Sequence, residues 1–154
     1  MVRVLVTGTR ECKGEAARRA VETALETIDR TPGEHVLVHG AQRGPDRIAA
    51  AVAKRLGWTV EPHKAAWLRP CDDKCRHRGG RPDRRTGSWC PTASGLRNQE
   101  MVDAGADLVL AFLAKGGVNR NTRDCIRRAR RAGLRITPIE IEPEAEKPPG
   151  QAAA

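Results

Sequence analysis

Three glycine-bearing turns, each placed directly after an apolar run, hold the residues best suited to chemistry in this 154-residue chain. Thr7-Gly8-Thr9-Arg10 follows Val4-Leu5-Val6, and Gly40-Ala41-Gln42-Arg43-Gly44-Pro45-Asp46 follows Val36-Leu37-Val38-His39. Lys115-Gly116-Gly117, with Asn121-Thr122 beyond it, follows the run from Leu108 to Phe112. The chemistry on offer is the holding of an anion. Glycine allows close backbone approach, amides and Thr hydroxyls donate to phosphate oxygens, and Arg adds a charged fork. On that reading Gly8, Thr9, Arg10, Gly40, Arg43, Gly44, Gly116, Gly117 and Thr122 contact a phosphate-bearing ligand. The competing reading of these turns is an ordinary strand-to-helix connection that needs glycine at positive φ. Asp46 contacts ribose hydroxyls or complements the dipole of the helix it opens. Arg97 and Asn98, opening another helix, reach the same crevice, Arg for phosphate and Asn for base or ribose. Alternatively, that pair ties the long preceding loop back to the domain.

A second cluster suits a metal. Cys71-x3-Cys75-x-His77, with Cys90 further on, sets four soft or borderline ligands within 20 residues. That is the donor set of a structural Zn²⁺ site, and the ion would supply the cross-link a long loop otherwise lacks. His63 is a substitute for His77 as fourth ligand. The competing reading is a group of surface thiols and a chance histidine. Cys12 and Cys125 lie outside the cluster, the first as a turn residue and the second in the core.

These residues need elements to hold them. The near-continuous apolar run at 2–7 reads as a strand buried on both faces, and 35–39, 58–62, 107–113 and 134–141 read as further strands, that at 58–62 a short one. Between them, helical periodicity marks 14–29, a helix opening at 44–46 and capped by Gly57, a helix over about 95–104 and another over 121–132. Asn121 and Asp124 read as the cap of that last helix and its acidic partner. Strands alternating with helices predict an α/β Rossmann-like three-layer sandwich with a mostly parallel sheet. In such a sheet the carboxyl ends of the strands gather the ligand-binding loops. Residues 1–141 make one domain, with 63–94 an inserted basic Cys/His-bearing loop and 142–154 a disordered tail rich in Pro, Glu and Ala.

Composition narrows the partners. Net charge is +9, and residues 64–97 alone hold nine bases against three acids. Sequence-blind nucleic-acid binding by that loop is therefore open. It is not favoured, because the chain has one Phe and no Tyr and only Trp67 and Trp89 flank the loop. No apolar run reaches the roughly 20 residues that span a membrane, and no leader precedes the first strand. Five cysteines without a signal argue against a disulfide framework and for a cytoplasmic protein. A homo-oligomer is left open.

Taken in order, Val-Thr-Gly-Thr-Arg, His-Gly-Ala-Gln-Arg-Gly-Pro-Asp, Gly-Leu-Arg-Asn-Gln-Glu-Met-Val, Asp-Leu-Val-Leu-Ala-Phe and Asn-Thr before a helix resemble the YpsA-related branch of the SLOG superfamily. The likeness covers about residues 2–139 and is carried most specifically by Arg97-Asn98-Gln99-Glu100-Met101. It implies a Rossmann-like fold and a site for a nucleotide or an NAD- or ADP-ribose-type ligand, as a sensor or binding module. Related superfamily members are the lonely-guy phosphoribohydrolases and a DNA-processing protein. The former carry Pro-Gly-Gly-x-Gly-Thr-x-x-Glu where this chain has Lys115 to Cys125. Lys115 replaces Pro, Asn121 stands before Thr122, and Cys125 occupies the place of the catalytic Glu. A thiol cannot stabilise the positive charge that builds on a departing sugar. The resemblance thus leaves a nucleotide-processing hydrolase as the alternative, with phosphoribohydrolase chemistry disfavoured.

Overall fold

The structure is a computed structural model that describes residues 1–71, 75 and 90–144. His77, Trp89, most of the expected inserted loop and the expected tail from 145 onward lie outside the described residues. The elements run β1 (Val2–Gly8), α1 (Gly14–Asp29), β2 (His35–His39), α2 (Pro45–Arg55), β3 (Thr59–Pro62), α3 (Thr92–Ala104), β4 (Leu108–Ala114), α4 (Arg120–Arg131) and β5 (Ile136–Ile141). The five strands form one sheet in the order β3-β2-β1-β4-β5, and every pairing is parallel. The chain therefore winds outward from β1 to β3, returns beside β1 as β4, and winds outward again. Loops leaving β1 and β4 diverge at that reversal, the place where open α/β sheets form their ligand crevice.

Side-chain alternation builds the layers. Val4, Val6, Leu37, Leu110 and Phe112 face one side and pack on Ala17, Val21 and Leu25 of α1 and Ala49 and Val52 of α2. Leu5, Val36, Val38 and Val109 face the other side and pack on Met101 and Val102 of α3 and Cys125 and Ala129 of α4. Helices on both faces account for strands that read as unbroken apolar runs.

Two helix starts differ from the sequence reading, each for a local reason. Helix α3 begins at Thr92, about three residues early. Cys90 is fully buried, and its carbonyl accepts from the Ala93 amide at 3.0 Å, so the first turn winds directly off the cysteine. Asn119, not Asn121, is the N-cap of α4, in the left-handed region at φ 53°. Its side-chain oxygen accepts from the Ala114 amide at 2.9 Å, and its amide donates to the Ala114 and Gly117 carbonyls at 3.0 Å. Asn119 thus stitches the turn after β4 closed. Asparagine tolerates that conformation better than most residues.

Candidate functional site

The loop from β2 into α2 is shaped by what lies on either side of it. Gly44 sits at φ +95°, and a Cβ there would be 3.0 Å from the Thr9 carbonyl oxygen, so the turns after β1 and β2 lie back to back. The space beside Gly8 is likewise taken by the Pro45 ring. Ala41 holds a φ of 56°, a conformation costing a non-glycine residue roughly 1–2 kcal/mol. Strain of this kind persists only where the surroundings impose it. Here they do: Asp46, 3% exposed, turns its Oδ2 back to accept the Gly40 and Gln42 amides at 2.9 and 3.3 Å. Arg97, equally buried, approaches from α3 and donates to the Gly40 carbonyl at 2.6 Å and to Asn98 Oδ1 at 3.1 Å. Gly40 is thus gripped on both sides, through its N–H by the Asp46 carboxyl and through its carbonyl by the Arg97 guanidinium. Asp46 Oδ1 has no hydrogen-bond partner among the described residues. Burial pushes the Asp46 carboxyl up to about 7, against the pull of the Gln42 amide and the Arg97 charge. Burial also lowers the Arg97 guanidinium.

Asn98 extends this grip across the helices. Its fully buried amide donates to Asn121 Oδ1 at 2.9 Å and Asp124 Oδ2 at 3.0 Å. The Asn121 amide donates in turn to Gln42 Oε1 at 2.8 Å. Asp124 Oδ2 also accepts from Arg128 Nε at 2.8 Å, and Arg128 donates to Gln99 Oε1 at 3.0 Å. The chain of contacts joins α3, α4 and the β2–α2 loop. Arg97 therefore spends its Nε and Nη1, and Asn98 its side-chain amide, on protein. Thr122 is fully buried, with its hydroxyl unpartnered among the described residues. Cys125 lies in the core, as the sequence implied, and burial pushes its thiol up to about 11.

Space for a ligand opens in front of this scaffold. A cavity of about 560 Å³ is lined by Arg10, Gln42, Arg43, Arg47, Trp67 and Asn121, with Ala41 and Ser94 completing it. A smaller one of about 270 Å³ shares Ala41, Gln42, Arg47 and Trp67 with it and adds Gly40, Lys64 and Arg97. Of the expected set, Arg10 and Arg43 line the larger cavity, and Gly40 and Arg97 line the smaller. Arg47 is an addition that sequence reasoning missed, while Lys64 and Trp67, read there only as part of the basic loop and as a flank able to stack on nucleic-acid bases, are brought to the same crevice. Arg47 directly follows Asp46 in the first turn of α2, a position that carried its own signal. The turn after β4 lines neither cavity: a Cβ on Gly117 would meet Glu11 Oε2 at 2.8 Å, and Lys115 pairs with Glu142 at 2.9 Å. A cavity of similar volume, about 520 Å³, lies at the opposite end of the strands and sets one arginine against two acids. It has no cation cluster.

The thiols gather beside the crevice. Sγ atoms of Cys71, Cys75 and Cys90 all lie within 4.8 Å of one another, and those of Cys75 and Cys90 are 3.8 Å apart. Zinc–sulfur bonds of about 2.3 Å at tetrahedral angles put sulfurs roughly 3.8 Å apart. Arg69 donates to Cys75 Sγ at 3.2 Å and lies 3.7 Å from Cys90 Sγ, placing positive charge against the sulfurs. Burial, then the neighbouring Cys90 and Cys75, push the Cys71 thiol up to about 11. None of the five cysteines is in a disulfide. The cluster could hold a metal ion. His63 is not part of it; its Nε2 lies 3.0 Å from Glu61 Oε1.

A family profile described as the YspA, cpYpsA-related SLOG family matches residues 2–69. Over 143 residues the chain is 37% identical to the Gene 61 protein of Mycobacterium phage D29, covering 88% of this chain and 94% of that protein. The chain belongs to the YspA, cpYpsA-related SLOG family. Two solved structures share this SLOG fold at 17% identity. DNA processing protein A from Streptococcus pneumoniae matches with a TM-score of 0.61 over 89% of this chain, which spans 50% of that protein's chain. TM1055 matches with a TM-score of 0.57 over 88% of this chain and 72% of its own. SLOG membership implies nucleotide-related binding or processing. Among the described residues no helix is long and apolar enough to cross a membrane.

Proposed function

We propose that this chain binds a nucleotide or a nucleotide-derived ligand of the NAD or ADP-ribose type at the carboxyl ends of β1 and β2, as a cytoplasmic sensor or binding module. One observation carries the reading: Arg10, Arg43 and Arg47 border a single crevice of about 560 Å³. That volume falls within the range typical of small-molecule sites. Arginine forks suit phosphate oxygens, and the rigid loop behind them, gripped by Asp46 and Arg97, spares the ligand the cost of ordering it. Gly8, Thr9, Gly40 and Gly44 shape that wall. Gly116 and Gly117 contribute only if the turn after β4 closes over the ligand, and Thr122, fully buried in α4, contributes only if that helix start opens. Calorimetry is expected to show AMP and ADP-ribose binding far more tightly than adenosine. Arg10→Ala and Arg43→Ala should each cost roughly 1.5–3 kcal/mol of affinity, the loss of a charged hydrogen bond. Equal affinity for AMP and adenosine would sink the reading.

Hydrolysis is the weaker assignment. Cys125 is buried, and Asp124 is engaged by Arg128 and Asn98, so neither presents a carboxylate to a sugar in the crevice. Incubation with nucleoside monophosphates should release no free base on chromatography. Release of base that Asp124→Asn abolishes would reverse this assignment. Alongside the nucleotide site, the thiol cluster holds a structural Zn²⁺ whose fourth ligand is expected at His77.

A further inference from the structure

We propose that the indole of Trp67 is the wall on which the ligand's nucleobase stacks, with the phosphate end turned toward Arg10 and Arg43; this rests on the nucleotide reading above. Trp67 lines both the larger cavity, with Arg10 and Arg43, and the smaller one beside it. It is 39% exposed, whereas Trp58 is 6% exposed, stacked on His35 at 4.8 Å and bonded through its indole N–H to Asp29 at 2.7 Å. An indole open at the rim of a cationic crevice offers a ligand a flat apolar face.

Among the described residues no other Phe, Tyr or Trp offers that face. The chain has no Tyr, and its one Phe, Phe112, is fully buried. Among the described residues, Trp67 is the one Phe, Tyr or Trp lining either cavity. Its backbone is also fixed. The Trp67 carbonyl accepts the Cys90 amide at 3.0 Å, and the Arg69 amide closes a turn on the Ala66 carbonyl at 3.0 Å. Cys90 is the buried residue from which α3 winds, so the indole stands on a rooted turn. A pre-placed aromatic face binds any base with little sequence preference, because every base has a π-face. Arg10, Arg43 and Arg47 line the same cavity as the ring, so one ligand can stack its base on the indole and set its phosphate against the arginines.

The test compares AMP with ribose 5-phosphate, which keeps the phosphate and sugar and lacks the base, by calorimetry on wild type, Trp67→Ala, Trp67→Phe and Arg43→Ala. Wild type should prefer AMP by on the order of 10-fold, the size expected from one stacked base. Trp67→Ala should bring AMP down to the ribose 5-phosphate level and leave ribose 5-phosphate unchanged. Trp67→Phe should keep most of the preference, and Arg43→Ala should weaken both probes alike. Unchanged AMP binding by Trp67→Ala overturns the proposal, as does an equal loss for both probes, which would make the indole a prop for the fold. If wild type binds both probes equally, the phosphate site stands and the stacking wall falls. If wild type binds neither, the nucleotide reading fails and takes the wall with it.

Discussion

Metal analysis of protein purified from cells is expected to find about one zinc per chain, and stripping that ion should loosen the start of α3. The sulfurs of Cys75 and Cys90 stand 3.8 Å apart, the edge length of a zinc–sulfur tetrahedron, and that of Cys71 lies within 4.8 Å of both, with Arg69 offsetting part of the thiolate charge. Without a metal, crowding and burial hold the Cys71 thiol neutral, as its rise to about 11 indicates. Zinc ligates thiolate, so binding releases protons and weakens as pH falls. Structural zinc contributes roughly 10–16 kcal/mol in isolated fingers. Here the sheet folds on its own apolar core, so the loss should be local. Cys90→Ser should cost about 2–4 kcal/mol, or a fall of about 5–15 °C in Tm for a chain of this size. Absorption spectroscopy should place sulfur about 2.3 Å from the ion. A metal-free protein that melts at the same temperature, with all three thiols open to alkylation, would refute the assignment.

The second large effect is a dependence of stability on pH. An unfolded Asp46 would titrate near 3.8, and the folded one near 7. Between those values the native state binds a proton that the unfolded state does not. Raising the pH through this window therefore destabilises the native state, by up to about 4 kcal/mol once both states are ionised. Carboxyls held low, such as Glu61 beside His63 and Arg3 or Asp124 beside Arg128, act in the opposite sense below about pH 4. The comparison that isolates Asp46 is urea unfolding of wild type and Asp46→Asn at pH 5 and pH 8. An amide keeps an acceptor for the Gly40 and Gln42 N–H groups and carries no charge. Relative to wild type, the variant should gain about 3 kcal/mol of stability between pH 5 and pH 8. A gap between the two proteins that moves the other way would mean that Arg97 and the two amides outweigh burial.

The fold was legible because the central strands β1, β2 and β4 are apolar runs and α1, α2 and α4 carry helical periodicity, whereas the edge strands β3 and β5 mix Thr, Glu and Pro with apolar residues. Val4-Leu5-Val6 reads as buried on both faces, and it is. The sheet proves wholly parallel rather than mostly so. Less legible were positions decided by side-chain direction. Nothing local to Arg97 tells that its guanidinium turns inward to the Gly40 carbonyl, a residue 57 positions away. Asp46 likewise shows itself only as an acid at a helix start, and its role in folding the preceding loop depends on three-dimensional closure. Asn119 and Asn121 compete for the same cap on sequence alone, and the short turn after β4 favours the earlier one. Trp67 read as a loop residue because the crevice it borders is assembled from segments far apart in the chain.

The single hydrogen bond between the Trp67 carbonyl and the Cys90 amide also bears on how this chain could vary over time. It brings the two ends of the 22-residue stretch from 68 to 89 to within 3.0 Å of each other. Closing a chain segment costs free energy only logarithmically in its length, so halving or doubling that stretch changes the closure cost by about 0.6 kcal/mol. The number of residues between Cys75 and Cys90 is therefore open to change at little cost, whereas Cys71, Cys75 and Cys90 themselves are not, because the thiol cluster needs all three.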